Sequence, residues 1–504
     1  GRAEPVVTAS GKALLLVDTP ATGRELISAV TARALKEAPD LEVWGIVDPQ
    51  PVTDDDDVGA ALARAYRLHA AWRSRRPATA LRHPTLPFTQ RCHFTGRPAV
   101  SFLPDDDREV PVSAGAKAAA DRRNDGRRRM ARLVGERALV APDRLNDGVR
   151  HGGWIAVLHA DGNGIGEVFR TLAEVYSGDE FLARLDGFSQ ALDEVTKAAV
   201  SDAVKELERR HPDREEWLLP LIVGGDDVTA ILDGRLAFDF AVTFLRSFAD
   251  RSAQHAEVSQ VLRRLARHRA AAVGADGGGL TASVGIAYVK PHYTFSDAYR
   301  LADELCASAK AVKHHAPGCG ALDFHVLHDS VGLPLARLRA SLQVDDGGRP
   351  LRLWAGPVVV PADEGDPGEW ARRRDVRHLL DLMAKLRPDP PTGDSPSRQA
   401  AASPSPADGQ SAKPRGPVLN RTSLHKLRQA LMYGGAEIDR AREQVEVWSS
   451  GDDDHTSVRE LLDTHLRVPE PGGAGAFSRI PGAMDLLDMA VGATADRELA
   501  VTGA

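Results

Sequence analysis

The stretch Leu221-Ile-Val-Gly-Gly-Asp-Asp-Val-Thr-Ala-Ile-Leu232 leaves the backbone few choices. Two short apolar runs rich in Ile and Val read as buried strands, and the glycines between them read as the tight turn of a hairpin. Two adjacent carboxylates, Asp226 and Asp227, follow that turn. A bare charge is costly to bury, so they need water, hydrogen bonds or a cation. A third carboxylate closes another apolar run, Trp154-Ile-Ala-Val-Leu-His-Ala-Asp161, and Gly162-Asn-Gly-Ile-Gly166 follows it. Three carboxylates at neighbouring strand ends make a hard oxygen site suited to magnesium or manganese.

The pattern around these runs places the carboxylates together. Residues 151–330 read as strand 154–160, a long helix, strand 218–223, the hairpin, strand 228–232, a helix, strand 280–289, a helix, and a last strand near 322–327. In the long helix, Phe181, Leu185, Phe188, Leu192, Val195 and Ala199 form one apolar face, which is core. Leu236, Phe240, Phe244 and Phe248 mark the next helix. The order β-α-β-β-α-β predicts an α+β, ferredoxin-like fold, with helices on one face of an antiparallel sheet and one further helix and strand added. Its first strand lies beside the hairpin, which brings Asp161 near Asp226 and Asp227.

The rest of the chain carries weaker signals. Ala13–Asp18, a helix near 24–36 and Leu41–Val47 read as a β-α-β start, also with an aspartate at the end of its first strand. Residues 1–110 are expected to be an α/β region that is a worn copy of the later unit, without the Gly-Gly-Asp-Asp step. Asp54–Asp57 and Asp452–Asp454 read as solvated loops. Cys92 beside His93 is a poor zinc signal, since structural sites use four ligands at paired spacings. Residues 111–150 form an Arg-rich helical connector, with seven arginines between Arg122 and Arg137. That run is either a solvated helix face or a phosphate-contacting surface. Residues 331–387 read as a small α/β or helical segment, 388–417 as a disordered linker rich in Pro, Ser, Ala and Gly, and 418–504 as a C-terminal helical domain.

Composition narrows the class. The 504 residues allow two to four domains, and the net charge of −7 argues against binding nucleic acid through overall charge. Three cysteines are too few for a disulfide framework, so a reducing cytoplasm is expected. No stretch approaches the ~18–20 apolar residues of a membrane span, and the N-terminus shows no signal pattern.

Two cations held by shared carboxylates ~3.5–4 Å apart stabilise the attacking and leaving oxygens of an in-line phosphoryl transfer. Asp161, Asp226 and Asp227 are the expected ligands and catalytic residues. Gly162, Asn163 and Gly164 lie between a strand and a helix, where backbone N–H groups can approach a triphosphate. Gly224 and Gly225 of the hairpin turn are expected nucleotide contacts as well. The loop lacks the Lys-Ser/Thr of a nucleotide-binding P-loop. Downstream stand Gly279-Leu-Thr-Ala-Ser-Val-Gly-Ile-Ala287 and Tyr299-Arg-Leu-Ala-Asp-Glu-Leu-Cys-Ala-Ser-Ala-Lys310. Lys310 ends a helix and offers a mobile positive charge for a phosphate.

Strand-Asp, Gly-Gly-Asp-Asp hairpin, Ser-Val-Gly-Ile-Ala strand and Ala-Asp-x-Leu-x-x-x-Ala-Lys helix, in this order, resemble the palm domains of two families. These are the GGDEF diguanylate cyclases and the polymerase-like large subunit of type III CRISPR effector complexes. The second fits better. Its hairpin ends in Asp-Asp rather than Glu-Phe, and the Phe-Lys-x-x-Asn of guanine recognition is replaced here by Val168-Phe-Arg-Thr-Leu. A degenerate first palm, a Cys-containing segment and a helical C-terminal domain are also features of that family. A His-Asp nuclease domain is not seen, so single-stranded DNA cleavage is not implied. The resemblance implies two palms, cyclic oligoadenylate synthesis from ATP, and a second messenger for antiviral defence. It also implies two Mg²⁺ or Mn²⁺ ions on Asp161, Asp226 and Asp227, and the triphosphate on residues 162–166 and Lys310, with Ser283 a weaker nucleotide contact. Partners would be nucleoside triphosphates, with guide or target RNA and other effector subunits, and no membrane. Two alternatives stand beside it: a cyclic-dinucleotide synthase of GGDEF type, and a non-catalytic scaffold that binds RNA and proteins through Arg122–Arg137.

Overall fold

A computed structural model of the chain describes residues 1–9, 11–52, 58–75, 86–105, 107–141, 144, 153–268, 279–328, 332–362, 368–386, 419, 421–448, 455–470 and 475–488. The acidic runs 54–57 and 452–454 and the expected linker 388–417 lie outside these residues.

The centre is a six-stranded sheet. Its strands are β1 (Ile155–Gly162), β2 (Leu218–Gly224), β3 (Asp227–Asp233), β4 (Ala282–Val289), β5 (Gly320–Val326) and β6 (Val358–Val360), in the order β6-β5-β4-β1-β3-β2. The four strands β4-β1-β3-β2 pair antiparallel throughout, as the ferredoxin-like order requires. Beyond them β5 joins β4 in parallel and β6 closes the edge antiparallel. The helices are α1 (Ile165–Val175), α2 (Gly178–Arg210), α3 (Gly234–Gln254), α4 (Ala256–His268) and α5 (Phe295–Ala309). The single long helix expected from periodicity is two helices, broken where Tyr176 and Ser177 turn extended and Gly178 takes a φ of 55°.

Alternate side chains of β1 point to opposite faces, and both faces are covered. Ala156, Leu158 and Ala160 pack with Phe188, Leu192, Phe244 and Phe248 of α2 and α3. Ile155 and Val157 pack with Ala298, Leu301 and Leu305 of α5. Helices on one face is therefore correct for α2 and α3 and is corrected for α5, which covers the other face. Gly285 permits that close approach: a Cβ there would stand 1.9 Å from the Ala302 carbonyl oxygen and 2.3 Å from the Cys306 nitrogen. The hairpin strand β2 is the sheet edge, and so Leu221 and Ile222 are exposed rather than buried as the apolar run suggested. A register shift between Pro220 and Ile222 bends that edge.

The N-terminal region is built differently. Ala3–Ala9 and Lys12–Val17 form a two-stranded antiparallel ribbon that packs on α2, and a helix follows at Pro20–Glu37. Leu41–Val47, expected as the second strand of a β-α-β unit, has no regular structure. The connector is helical at Ala114–Asp121 and Arg123–Val134. At the C-terminal end, helices Arg421–Tyr433, Gly435–Trp448 and His455–His465 are joined by two short strands, Val468–Pro469 and Ala476–Phe477. These strands complete a four-stranded sheet with Gln343–Asp345 and Pro350–Arg352. Among the described residues no helix is long and apolar enough to cross a membrane.

Candidate active site

The hairpin turn comprises Gly225 and Asp226, with Gly224 and Asp227 as the last paired residues. Gly225 has a φ of 63°, the left-handed conformation that a two-residue hairpin turn asks of glycine. Helix α2 grips this peptide from both sides: Thr196 Oγ1 donates to the Gly225 carbonyl at 2.5 Å, and the Gly225 N–H donates to Asp193 Oδ1 at 3.2 Å. The turn sets Asp226 over β1, where a Cβ on Gly162 would stand 2.9 Å from Asp226 Cβ and 3.2 Å from its Oδ2. Gly162 thus makes room for the carboxylate.

Ala160 pairs with Val228, so Asp161 and Asp227 sit at neighbouring strand ends. One ligand atom each from His159, Asp161 and Asp227 lie within 4.8 Å of one another. His159 was missed by the sequence reading. The available signal was its spacing of two residues from Asp161, which on a strand puts both side chains on one face. Its ring is buried, with Nδ1 3.1 Å from Thr229 Oγ1, Nε2 3.7 Å from Asp303 Oδ1, and Tyr299 edge-on at 5.5 Å. Asp226 stands beside this group rather than in it.

Crowding shows in the charge states. Burial, then the charges of Asp161 and Asp227, push the Asp226 carboxyl up to about 6. Burial and Asp161 raise Asp227 as well. Lys310, at the end of α5, pairs through Nζ with Asp161 Oδ2. Burial alone would lower its ammonium, but the hydrogen bond and charge of Asp161 outweigh that and raise it. Three crowded carboxyls with an imidazole alongside fit a divalent cation, which would relieve the repulsion that, with burial, holds Asp226 and Asp227 up.

The other expected contacts divide. Gly164 caps α1 with a φ of 72°, leaving the 162–166 backbone at a helix N-terminus. Asn163 is buried: its amide donates to Thr281 Oγ1 at 3.0 Å, and its carbonyl accepts from Ser283 Oγ at 2.8 Å. Asn163 and Ser283 therefore tie the loop onto β4. Gly224 and Asp227 line a cavity of about 530 Å³, with Gln190, Asp193 and Lys197 of α2 opposite and Gly11 of the N-terminal ribbon at its rim. Cys306 is inert here: burial pushes its thiol up to about 12, and it donates to the Ser283 carbonyl.

The segment that builds this geometry, residues 154–316, matches the family model of the Cas10/Cmr2 second palm domain. That segment resembles a palm of Cas10/Cmr2 type. Among solved structures, the Csm1–Csm4 cassette in complex with pppApApA is 14% identical, over 97% of this chain and 62% of that chain, at a TM-score of 0.41. The cassette in complex with cA4 is 13% identical over 63% of this chain and 46% of that chain, at 0.32, and the apo cassette 14% over 76% and 54%, at 0.33. This chain thus spans less than two thirds of the length of each. The family resemblance lies in residues 154–316. No curated protein matches.

Proposed function

We propose that this chain is a metal-dependent nucleotidyltransferase that joins ATP into cyclic oligoadenylates, as a subunit of a type III CRISPR effector acting in the cytoplasm. The observation that carries the reading is the convergence of Asp161, Asp226 and Asp227 on one edge of the palm, with Lys310 already drawn to it. In this reaction the 3′-hydroxyl of one nucleotide attacks the α-phosphate of the next, and pyrophosphate leaves. Asp161, Asp226 and Asp227, with His159 on the same face, would hold two Mg²⁺ or Mn²⁺ ions, which when bound stabilise charge on the attacking and leaving oxygens. Lys310 turns from Asp161 to the triphosphate, and the backbone of residues 162–166 receives phosphate oxygens at the N-terminus of α1. The cavity beside Asp227 admits a nucleotide, while the α2 clamp on Gly225 fixes the turn against recoil. Guide or target RNA and other effector subunits would set the geometry from outside the palm.

The test is incubation with each of the four nucleoside triphosphates and Mg²⁺ or Mn²⁺, with and without RNA, and identification of products by mass. Cyclic oligoadenylates from ATP support the reading. A cyclic dinucleotide from GTP alone overturns it in favour of a GGDEF-type synthase. No turnover and no nucleotide binding leaves the scaffold.

A further inference from the structure

Helix α4 buries Val258, Val261, Leu262 and Leu265 against the palm and turns Arg263, Arg264 and Arg267 outward. These three arginines meet Arg184 of α2 and Tyr176 of the α1–α2 junction around a concavity of about 250 Å³. Several other arginines of the palm are neutralised: Arg235 by Asp233, Arg251 by Asp202, and Arg184 itself by Glu257. Among the described residues Arg263, Arg264 and Arg267 make no ion pair. Four guanidinium groups thus face two carboxylates, Glu180 and Glu257, on a chain whose net charge is −7. The pocket is organised before any ligand arrives. Arg184 Nη1 is fixed by both Glu257 oxygens at 3.0 Å, and its guanidinium carbon lies 6.0 Å from the centre of the Tyr176 ring.

We infer that this pocket binds the backbone of single-stranded nucleic acid, with a phosphodiester against Arg263, Arg264 and Arg267 and a base against Tyr176. Guanidinium forks suit phosphate oxygens, and a ring beside them supplies the sequence-tolerant stacking typical of single-strand grooves. The volume holds a phosphate group but is small for a whole nucleotide, whose pockets run from about 300 Å³ upward, so the rest of the ligand must run out over the rim. The position is separate from the carboxylates. Helix α1 starts at the Gly-rich loop and ends at Tyr176, and its 11 residues span about 16 Å. The surface is also distinct from the Arg122–Arg137 run, which lies toward the other end of α2, where Arg137 meets Glu215 and the Pro212 carbonyl.

The experiment uses the full chain and a short fluorescein-labelled oligouridylate, with binding followed by anisotropy across a salt series. Arg264→Gln with Arg267→Gln is expected to weaken binding about tenfold and to flatten the salt slope by about 0.7, the share of the one phosphate that is no longer neutralised. Tyr176→Leu is expected to weaken the oligonucleotide but not tripolyphosphate measured as a competitor. Asp226→Asn with Asp227→Asn should bind the oligonucleotide as the parent does, so failure of catalysis and failure of this pocket are told apart. Unchanged affinity and slope in the double-arginine variant overturn the proposal. Displacement by tripolyphosphate or ATP at the same concentration as unlabelled oligonucleotide overturns the strand in favour of a small-anion site. Both arginine side chains are exposed, and an unchanged melting curve confirms that the variant reports on binding.

Discussion

The strands Lys12–Val17 and Ile155–Gly162 are alike as sequences: each is an apolar run leading to an aspartate. In the fold they part. β1 has a neighbour on each side and helices on both faces, and its end meets the hairpin turn. The ribbon strand has one neighbour, leaves Leu15 and Leu16 exposed, and its Asp18 accepts a hydrogen bond from the Arg2 N–H at 2.9 Å. An aspartate at a strand end becomes part of a charged cluster when the fold sets other carboxylates beside it. Alone at a ribbon end it serves as a local cap.

The largest test of that contrast is catalytic. Asp226→Ala with Asp227→Ala is expected to lower product formation by about a thousandfold or more, while Asp18→Ala leaves the rate within twofold, roughly the scatter of such assays. Equal losses in the two would erase the distinction. Next is packing. Phe248, fully buried between α3 and the sheet, should cost about 3–5 kcal/mol on truncation to Ala. Leu15→Ala should cost under about 1 kcal/mol, both read from urea unfolding midpoints. A smaller effect belongs to Lys310→Ala, which is expected to raise the KM for ATP about tenfold, with any fall in kcat marking a contact that tightens in the transition state.

The smallest effect is one of sign, in metal-free protein. The Asp226 carboxyl, raised to about 6, binds its proton more tightly folded than unfolded. Its contribution to stability is therefore complete below the unfolded value near 3.8 and is lost as pH rises through about 6. Asp18 is lowered, first by the Thr22 hydroxyl and then by the Arg2 amide, so its contribution is present at neutral pH and lost on acidification. Asp226→Asn should raise the melting temperature at pH 7.5 by a few degrees, roughly 1 kcal/mol, and by less at pH 4.5. Asp18→Asn should lower it slightly at pH 7.5. Matching signs would show that the two aspartates sit in equivalent surroundings.

Much of the palm was legible because local pattern and global fold agree there. The strands ending at Asp161 and starting near Asp227 fall within two residues of their expected places, since Ile–Val runs and a glycine turn admit little else. What escaped depends on partners far along the chain. Asn163 and Ser283 look like open ligand groups in sequence, and they are spent on each other across 120 residues. The face taken by α5 follows from the missing side chain of Gly285, which only the packed helix reveals. Leu41–Val47 has strand composition and no edge to join. His159 needed a strand's alternation to be applied to a residue type that more often fills a core.

The grip of Thr196 and Asp193 on Gly225 makes the turn part of helix α2 rather than a loop. That helix has 33 residues and a length of about 50 Å. A rod so long is fastened to the hairpin turn near its middle. Its first turns lie by Arg184 and its last by the Arg137 contact, so a shift of the whole rod imposed at either end would carry the turn, with Asp226 and Asp227, along with it. A displacement well under an ångström at the turn suffices to spoil in-line geometry. If the proposed reaction runs at this turn, its rate would respond to load on surfaces that never touch the substrate.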